Sequence, residues 1–305
     1  MKIGLMLPIG EDEATGATFG WDHLRAMTLA AEDGGLDSVW CADHVLFRDD
    51  EGETHGIHEA WTILTAVAAI TSRVEIGPLV LCVPFRNPAM IAKMAATLDE
   101  VSGGRLILGL GCGWHEPEFD AFDLPFDHRV SRFEEALQVI LPMLREGTAT
   151  YEGRWHRADR ADLVPRGPRP GGPPILIAGK QPRMLDLVAE HADQWNAAWY
   201  GNPAGADDLR ARLERLRAAL DRAGRDISSL ELTAGVLVKV ADDPNAPDSA
   251  MAGSVEEIAD ALAGFAELGM RHLIVHLWPR TPAAVRTLAE AARLARARTG
   301  VPVAG

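Results

Sequence analysis

The chain has 305 residues, and 30 Lys and Arg stand against 44 Asp and Glu, a formal charge of −14. Hydrophobic residues at 47% and charged residues at 24% are globular proportions, which excludes a largely disordered chain and leaves material for a large core. The acidic balance argues against nucleic acid or an anionic membrane as partner, because such a surface repels phosphates, although a local basic pocket for one small phosphate stays open.

Apolar runs alternate with amphipathic stretches along the chain. Ile3 to Pro8 reads as a strand, short, apolar and stopped by Pro and Gly. Asp22 to Asp33 reads as a helix, with Asp22 as N-cap and Gly34-Gly35 as the stop. Ser38 to Ala42 is a second strand and His58 to Thr71 a helix. Val74 to Val83 is a third strand, and Pro88 to Val101 a helix with Pro in its first turn. Arg105 to Gly109 and Val130 to Glu146 make the fourth pair. Gly147 to Pro173 breaks the rhythm. Seven Gly and Pro residues crowd between Gly167 and Pro174, so a loop excursion is expected, with a small hairpin around Glu152-Gly153.

The pairs then resume: Pro174 to Ala178 with Pro182 to His191, and Gln194 to Ala198 with Asp207 to Ala223. Glu231 to Val240 with Val255 to Leu268, and His272 to Leu277 with Pro282 to Arg298, complete the series. Parallel neighbours need crossover connections. Eight βα units in one series therefore predict an α/β chain folded as a (β/α)8 TIM barrel, with an insertion between the fourth helix and the fifth strand. A doubly wound open sheet is the structural rival. Residues 1–305 read as one domain.

Cys41, Cys82 and Cys112 have no CxxC pairing, and their odd count fits reduced thiols better than a disulfide framework or a zinc site. The opening run MKIGLMLPIG meets acid at Glu11 rather than a small-residue cleavage site. No stretch reaches the roughly 18 apolar residues of a membrane span. A soluble, cytoplasmic protein is expected.

In such a barrel the active site lies at the C-terminal ends of the strands, so the residues after each apolar run are where chemistry belongs. Asp43-His44 follows the second strand. A His exchanges a proton near neutral pH, and a neighbouring carboxylate raises its basicity. The structural alternative is a capping Asp beside a hydrogen-bonded His.

Gly109, Gly111 and Gly113 follow the fourth strand. A GxGxxG dinucleotide loop needs Gly where Trp114 stands, and Pro117 with a polar loop leaves no obvious helix start. Bare backbone around Gly111-Cys112-Gly113 instead suggests close approach of a flat ligand, against the alternative of a crowded rim. Gly179-Lys180-Gln181 precedes a helix that opens Pro182-Arg183. Free N–H groups and two cationic side chains there make a credible phosphate seat, with a plain βα turn as the alternative.

Of the eight tryptophans, Trp61, Trp114, Trp195, Trp199 and Trp278 fall near this mouth, where stacking walls and plain packing would both use them. His44, His115 and His276 lie at strand ends, but the first strand offers no ligand and no spacing demands a metal, so none is expected.

Three stretches carry a resemblance to a known family. His58-Glu59-Ala60-Trp61-Thr62 is one. The second is RVEIGPLVLCVPFRNPAMIAKMAATLDEVSGGRLILGLGCGWHEPEF over 73–119, in which Ser102-Gly103-Gly104-Arg105 leads into Gly109-x-Gly111-x-Gly113-Trp114. The third is ILIAGKQPRMLDLVAEHADQWN over 175–196. With these, nearly the whole chain resembles the luciferase-like monooxygenase superfamily, in the branch that uses the deazaflavin coenzyme F420.

The resemblance implies a (β/α)8 barrel with an insertion, in agreement with the strand count, and a flavin-like ring across the strand ends. It implies that Asp43-His44 lines the reactive side of the ring. Leu79-Val80 matches the place of a non-prolyl cis peptide behind the ring, and Gly179, Lys180 and Gln181 match a phosphate-contacting turn. Deazaflavin sugar-phosphate dehydrogenases of the superfamily carry a catalytic Glu directly after the strand-four glycines. Here Trp114 holds that position and Glu116 comes two residues later, so a more apolar substrate is expected against Trp61, Trp114 and Trp199.

The implied activity is hydride transfer between reduced F420 and a small organic substrate, with His44 moving the matching proton and Asp43 orienting His44. An FMN-dependent monooxygenase using O2, and a non-catalytic flavin-binding protein, are the alternatives. A homodimer is also implied, with the apolar helices Trp61 to Ile70 and Met90 to Leu98 available for the contact.

Overall fold

A computed structural model describes residues 1–12 and 15–299. The barrel strands are β1 (Lys2–Met6), β2 (Ser38–Cys41), β3 (Glu75–Pro78), β4 (Leu108–Gly111), β5 (Ile175–Ala178), β6 (Gln194–Tyr200), β7 (Glu231–Lys239) and β8 (His272–Trp278). They pair in parallel in the order β3-β2-β1-β8-β7-β6-β5-β4. The two ends of that order meet. Ile76 bridges Leu106 through backbone hydrogen bonds of 3.0 and 2.8 Å, and Leu81-Cys82, just past β3, pairs with Leu110-Gly111. Closure leaves no open edge, which excludes the doubly wound rival.

The helices are α1 (Trp21–Asp33), α2 (Ala60–Ile70), α3 (Pro88–Ser102), a short α4 (Glu116–Ala121), α5 (Arg129–Glu146), α6 (Pro182–His191), α7 (Asp207–Arg222), α8 (Val255–Glu267) and α9 (Pro282–Thr299). Local chemistry sets where they begin. α2 starts at Ala60, not His58, because the Glu59 carboxylate accepts from the N–H groups of Trp61 and Thr62 as N-cap. Asn87 caps α3 in the same way, with Pro88 in the first turn. α8 carries a full capping box between Ser254 and Glu257. The cap of α1 is Gly20, so Asp22 lies inside the first turn, where its charge still favours the helix dipole.

Two expectations about regular structure are corrected. The single strand from Val74 to Val83 is broken after Pro78 by a cis peptide between Leu79 and Val80, and a 3-10 turn follows at Val83–Phe85. Apolar periodicity carries no sign of such a break. The second is α4, a helix that Pro117 had argued against. Pro117 sits in its first turn, where a missing N–H removes no helical hydrogen bond.

The excursion before β5 contains an antiparallel hairpin, Thr148–Glu152 with Arg157–Asp162. Glu135 on α5 pins its tip by accepting from the N–H groups of Arg154, Trp155 and His156 at 2.9, 2.8 and 3.1 Å. The Ser102-Gly103-Gly104-Arg105 motif works as a clamp. Gly103 caps α3 in the left-handed region, and Arg105 reaches back to the carbonyls of Ala68, Thr71 and Val74 at 2.9, 2.9 and 2.7 Å. It thereby satisfies the carbonyl of Ala68 in the last turn of α2 and that of the C-cap Thr71, which have no partner within the helix.

Met6, Trp40, Leu79, Ile107, Leu176 and Ile274 form a small apolar cluster of their own, drawn from strands around the ring. A larger layer packs the strands against the helices. All three cysteines are free thiols. Cys41 and Cys82 are buried, which pushes both thiols far up and keeps them inert. Among the described residues no helix is long and apolar enough to cross a membrane.

Candidate active site

The loop after β2 carries Asp43 and His44, and their partners differ. Asp43 is buried, and both of its oxygens are taken: Oδ2 accepts from the N–H of Cys82 at 2.8 Å and from Arg86 Nη1 at 2.6 Å, and Oδ1 accepts from Arg86 Nη2 at 2.9 Å. Arg86 Nη2 also donates to Glu59 Oε1 at 2.8 Å. Burial works to raise the Glu59 carboxyl, but hydrogen bonds from Thr62, Trp61 and Arg86 outweigh it and hold the group low. Asp43 thus ties β2 to the segment beyond the cis peptide and does not orient His44.

The partner of His44 is Glu118 on α4. Nδ1 of His44 lies 2.9 Å from Glu118 Oε1, and Glu118 Oε2 accepts from the N–H of Val45 at 3.0 Å. The Glu118 side chain is 1% exposed. Three rings gather around His44: Phe47 at 4.3 Å, Trp114 at 5.6 Å and His115 at 6.4 Å between centroids. His115 accepts the N–H of Arg48 at Nε2, 3.0 Å away. Trp114 is 65% exposed. Sequence reasoning missed Glu118 and the part played by Arg86. Both stand inside the motif stretch, but their partners lie 74 and 43 residues away in the chain.

The strand-four glycines serve the bulge. A Cβ on Gly109 would sit 2.1 Å from the Pro78 carbonyl oxygen, and one on Gly111 would sit 2.5 Å from Val80. Bare backbone there lets Leu79-Val80 approach β4. Cys112 is less buried. Burial pushes its thiol up, while the nearby Arg129 opposes that rise. Arg129 lies over the Phe126 ring at 3.6 Å, and its buried Nε has no hydrogen-bond partner among the described residues.

At the end of β5, Lys180 and Gln181 are exposed, and α6 starts without a side-chain cap. Arg183 is not part of an open seat: it is tied to Ser131 at 2.9 Å and to Glu134. Trp195 is fully buried, and its indole N–H donates to the Gly179 carbonyl at 2.9 Å, so it braces this turn rather than lining the mouth. Trp61 is also placed elsewhere. It lines an outer groove of about 190 Å³ between α2 and α3, with Thr65, Lys93, Met94, Leu98 and Val101.

On the other side of β1, His276 stacks on Trp278 at 4.3 Å and meets Trp199 at 5.7 Å. Burial, with a smaller push from Arg280, lowers its pKa to about 3, so this ring is neutral at physiological pH. Among the described residues no group of three or more His, Cys, Asp or Glu is arranged to hold a metal ion.

A family model described as luciferase-like monooxygenase matches residues 1–267. The chain belongs to the luciferase-like monooxygenase family. Membership places it among oxidoreductases, and two of its relatives carry different activities. A 5,10-methylenetetrahydromethanopterin reductase of Archaeoglobus fulgidus is 29% identical over 221 residues, which cover 72% of this chain and 61% of that protein. A pyrimidine monooxygenase RutA of Methylorubrum extorquens is 30% identical over 288 residues, 89% of this chain and 75% of that protein. The chain thus spans less than two thirds of the archaeal reductase.

Among solved structures, a coenzyme F420 dependent tetrahydromethanopterin reductase from Methanopyrus kandleri superposes with a TM-score of 0.75 at 19% identity, over 94% of this chain and 97% of that one. An F420-dependent secondary alcohol dehydrogenase gives 0.77 at 20% identity, over 97% and 99%. At these identities the likeness establishes the luciferase-like barrel and nothing finer.

Proposed function

We propose that the protein transfers a hydride between reduced coenzyme F420 and a small, largely apolar organic substrate, with His44 as the proton carrier. The observation that carries this reading is the setting of His44. A buried carboxylate holds Nδ1 at 2.9 Å, while Nε2 has no hydrogen-bond partner among the described residues. An imidazole held this way takes or gives its proton at Nε2. Phe47 and Trp114 set apolar surface beside the ring, against which a flat, uncharged substrate can lie.

The rest of the mouth fits a planar ring with a phosphate-bearing tail. Leu79, within the small apolar cluster of Met6, Trp40 and Ile274, and Val80, packed against that cluster, offer apolar support. Lys180 and the uncapped start of α6 offer positive charge and free N–H groups for a phosphate, on a turn that Trp195 holds in place. The unpartnered Nε of Arg129 adds a donor near Cys112. The deazaflavin, when bound, supplies the carbon that carries the hydride. What this chain supplies is position and the proton at His44.

A second reading, an FMN-dependent monooxygenase, is favoured by the similarity to RutA over 89% of the chain. Titration of the purified protein with F420 and with FMN, followed by oxygen uptake of each reduced complex, separates the two. Binding of F420 more than about tenfold tighter than FMN, a difference of about 1.4 kcal/mol, is expected, with no substrate-dependent oxygen uptake. Tighter FMN binding with substrate-dependent uptake replaces the first reading with the second, and retention of neither molecule removes both.

A further inference from the structure

We propose that Glu118 is the positioning residue of this site: it fixes the neutral ring of His44 in the tautomer that carries its proton on Nδ1, so that Nε2 is the nitrogen through which a proton passes to or from a substrate. This rests on the reading of His44 as the proton carrier. A carboxylate only accepts hydrogen bonds, so a 2.9 Å contact from Oε1 to Nδ1 places the proton on Nδ1 of the neutral ring. The second oxygen is held by the N–H of Val45 at 3.0 Å, so the carboxylate cannot turn away. With 1% of the side chain exposed, water does not compete for either oxygen.

Glu118 reaches this place along a tightly packed path. Gly113 turns the chain with φ of 75°, and a Cβ there would meet Phe119 at 2.6 Å and the Cys82 sulfur at 2.7 Å. Phe119, next to Glu118, is fully buried and packs edge-on against Phe126 at 5.1 Å and against Phe85 at 5.0 Å. α4 is thereby seated against the turn that follows the cis peptide. Asp43 cannot stand in, because Arg86 and the N–H of Cys82 occupy both of its oxygens. The carboxylate adjacent to His44 in sequence holds the bulge, and the distant one holds the histidine.

The test combines a spectroscopic and a kinetic measurement on the full chain. Nitrogen-15 NMR of the His44 ring, in cofactor-free protein at a pH where the ring is neutral, reads the tautomer directly. The wild type is expected to show the proton on Nδ1. In Glu118→Gln, the amide carbonyl can still accept from Val45 while its NH2 group donates to Nδ1, so the proton is expected to move to Nε2. Turnover in that variant is expected to fall about 100-fold, within the range of a lost acid–base group, with cofactor affinity unchanged. Glu118→Asp keeps a carboxylate and is expected to recover part of the rate.

A wild-type ring protonated on Nε2 overturns the proposal. So does Glu118→Gln with an unchanged tautomer, or with full turnover. The wild-type spectrum decides even if the variant does not fold. It also decides if the protein binds neither cofactor, an outcome that would remove the redox reading separately.

Discussion

The rim of the barrel has two characters on either side of β1. On the β2 side, Arg86 joins the carboxylates of Asp43 and Glu59, and Glu118 holds Nδ1 of His44 while Nε2 of that ring has no partner among the described residues. On the β8 side, His276 is stacked on Trp278 within reach of Trp199, and burial lowers its pKa to about 3. One residue type therefore serves opposite ends on the two strands that flank β1. A histidine beside a buried carboxylate is equipped to carry a proton, while one among indoles, facing Arg280, is kept neutral and becomes part of a wall. The partner, not the imidazole, sets the role.

The sharpest way to break this contrast is to exchange the two histidines in turn. His44→Ala is expected to lower kcat by about 10²- to 10⁴-fold, the range of a general acid–base group, with cofactor affinity held. His276→Gln is expected to lower it far less. Equal losses in steady-state kinetics would show that the two sides do not differ as described.

A somewhat smaller effect, on stability, probes the pairing on the β2 side. Arg86→Met leaves Asp43 buried without its cation, and a loss of about 3–5 kcal/mol is expected in urea unfolding, the range for breaking a buried pair. A loss below about 1 kcal/mol would mean that Asp43 behaves as an exposed surface charge.

Acid sharpens the β8 side, with the smallest effect per step. Burial holds both His276 and His272 at a pKa of about 3 in the folded chain. An unfolded chain takes the same protons near the ordinary value of about 6.5. Above that pH neither state is protonated and the full stability is present. As pH falls from about 6.5 towards about 3, the unfolded chain binds protons that the folded one refuses, so stability declines by about 1.4 kcal/mol per pH unit for each group. His276→Gln is expected to remove one such slope from urea midpoints measured between neutral pH and pH 4. An unchanged slope would mean that His276 is solvated.

Much of the barrel could be read from the order of residues, and the reasons are local. Gly34-Gly35 after α1, Pro88 at the start of α3 and the Gly/Pro crowding before β5 are signals confined to a few neighbours. The Leu79-Val80 bulge was reached through a family resemblance, not through periodicity, which ran straight across it. Trp61 and Trp195 show the limit from the other side. A position near a strand end did not reveal that one indole faces the α2–α3 groove and the other turns inward to hold Gly179.

Chain order alone determined the eight-fold alternation and the place of His44 after a strand, because helix and strand periods and turn residues act over a few positions; that the sheet closes on itself was decided by the long-range pairing of Ile76 with Leu106. It could not decide which carboxylate serves that histidine, which residues Arg86 joins, or why His276 stays neutral. Those depend on which groups meet after closure and on how much water is excluded when they do. Glu118 and His44 are 74 residues apart and are neighbours only once β4 and α4 have folded across the mouth.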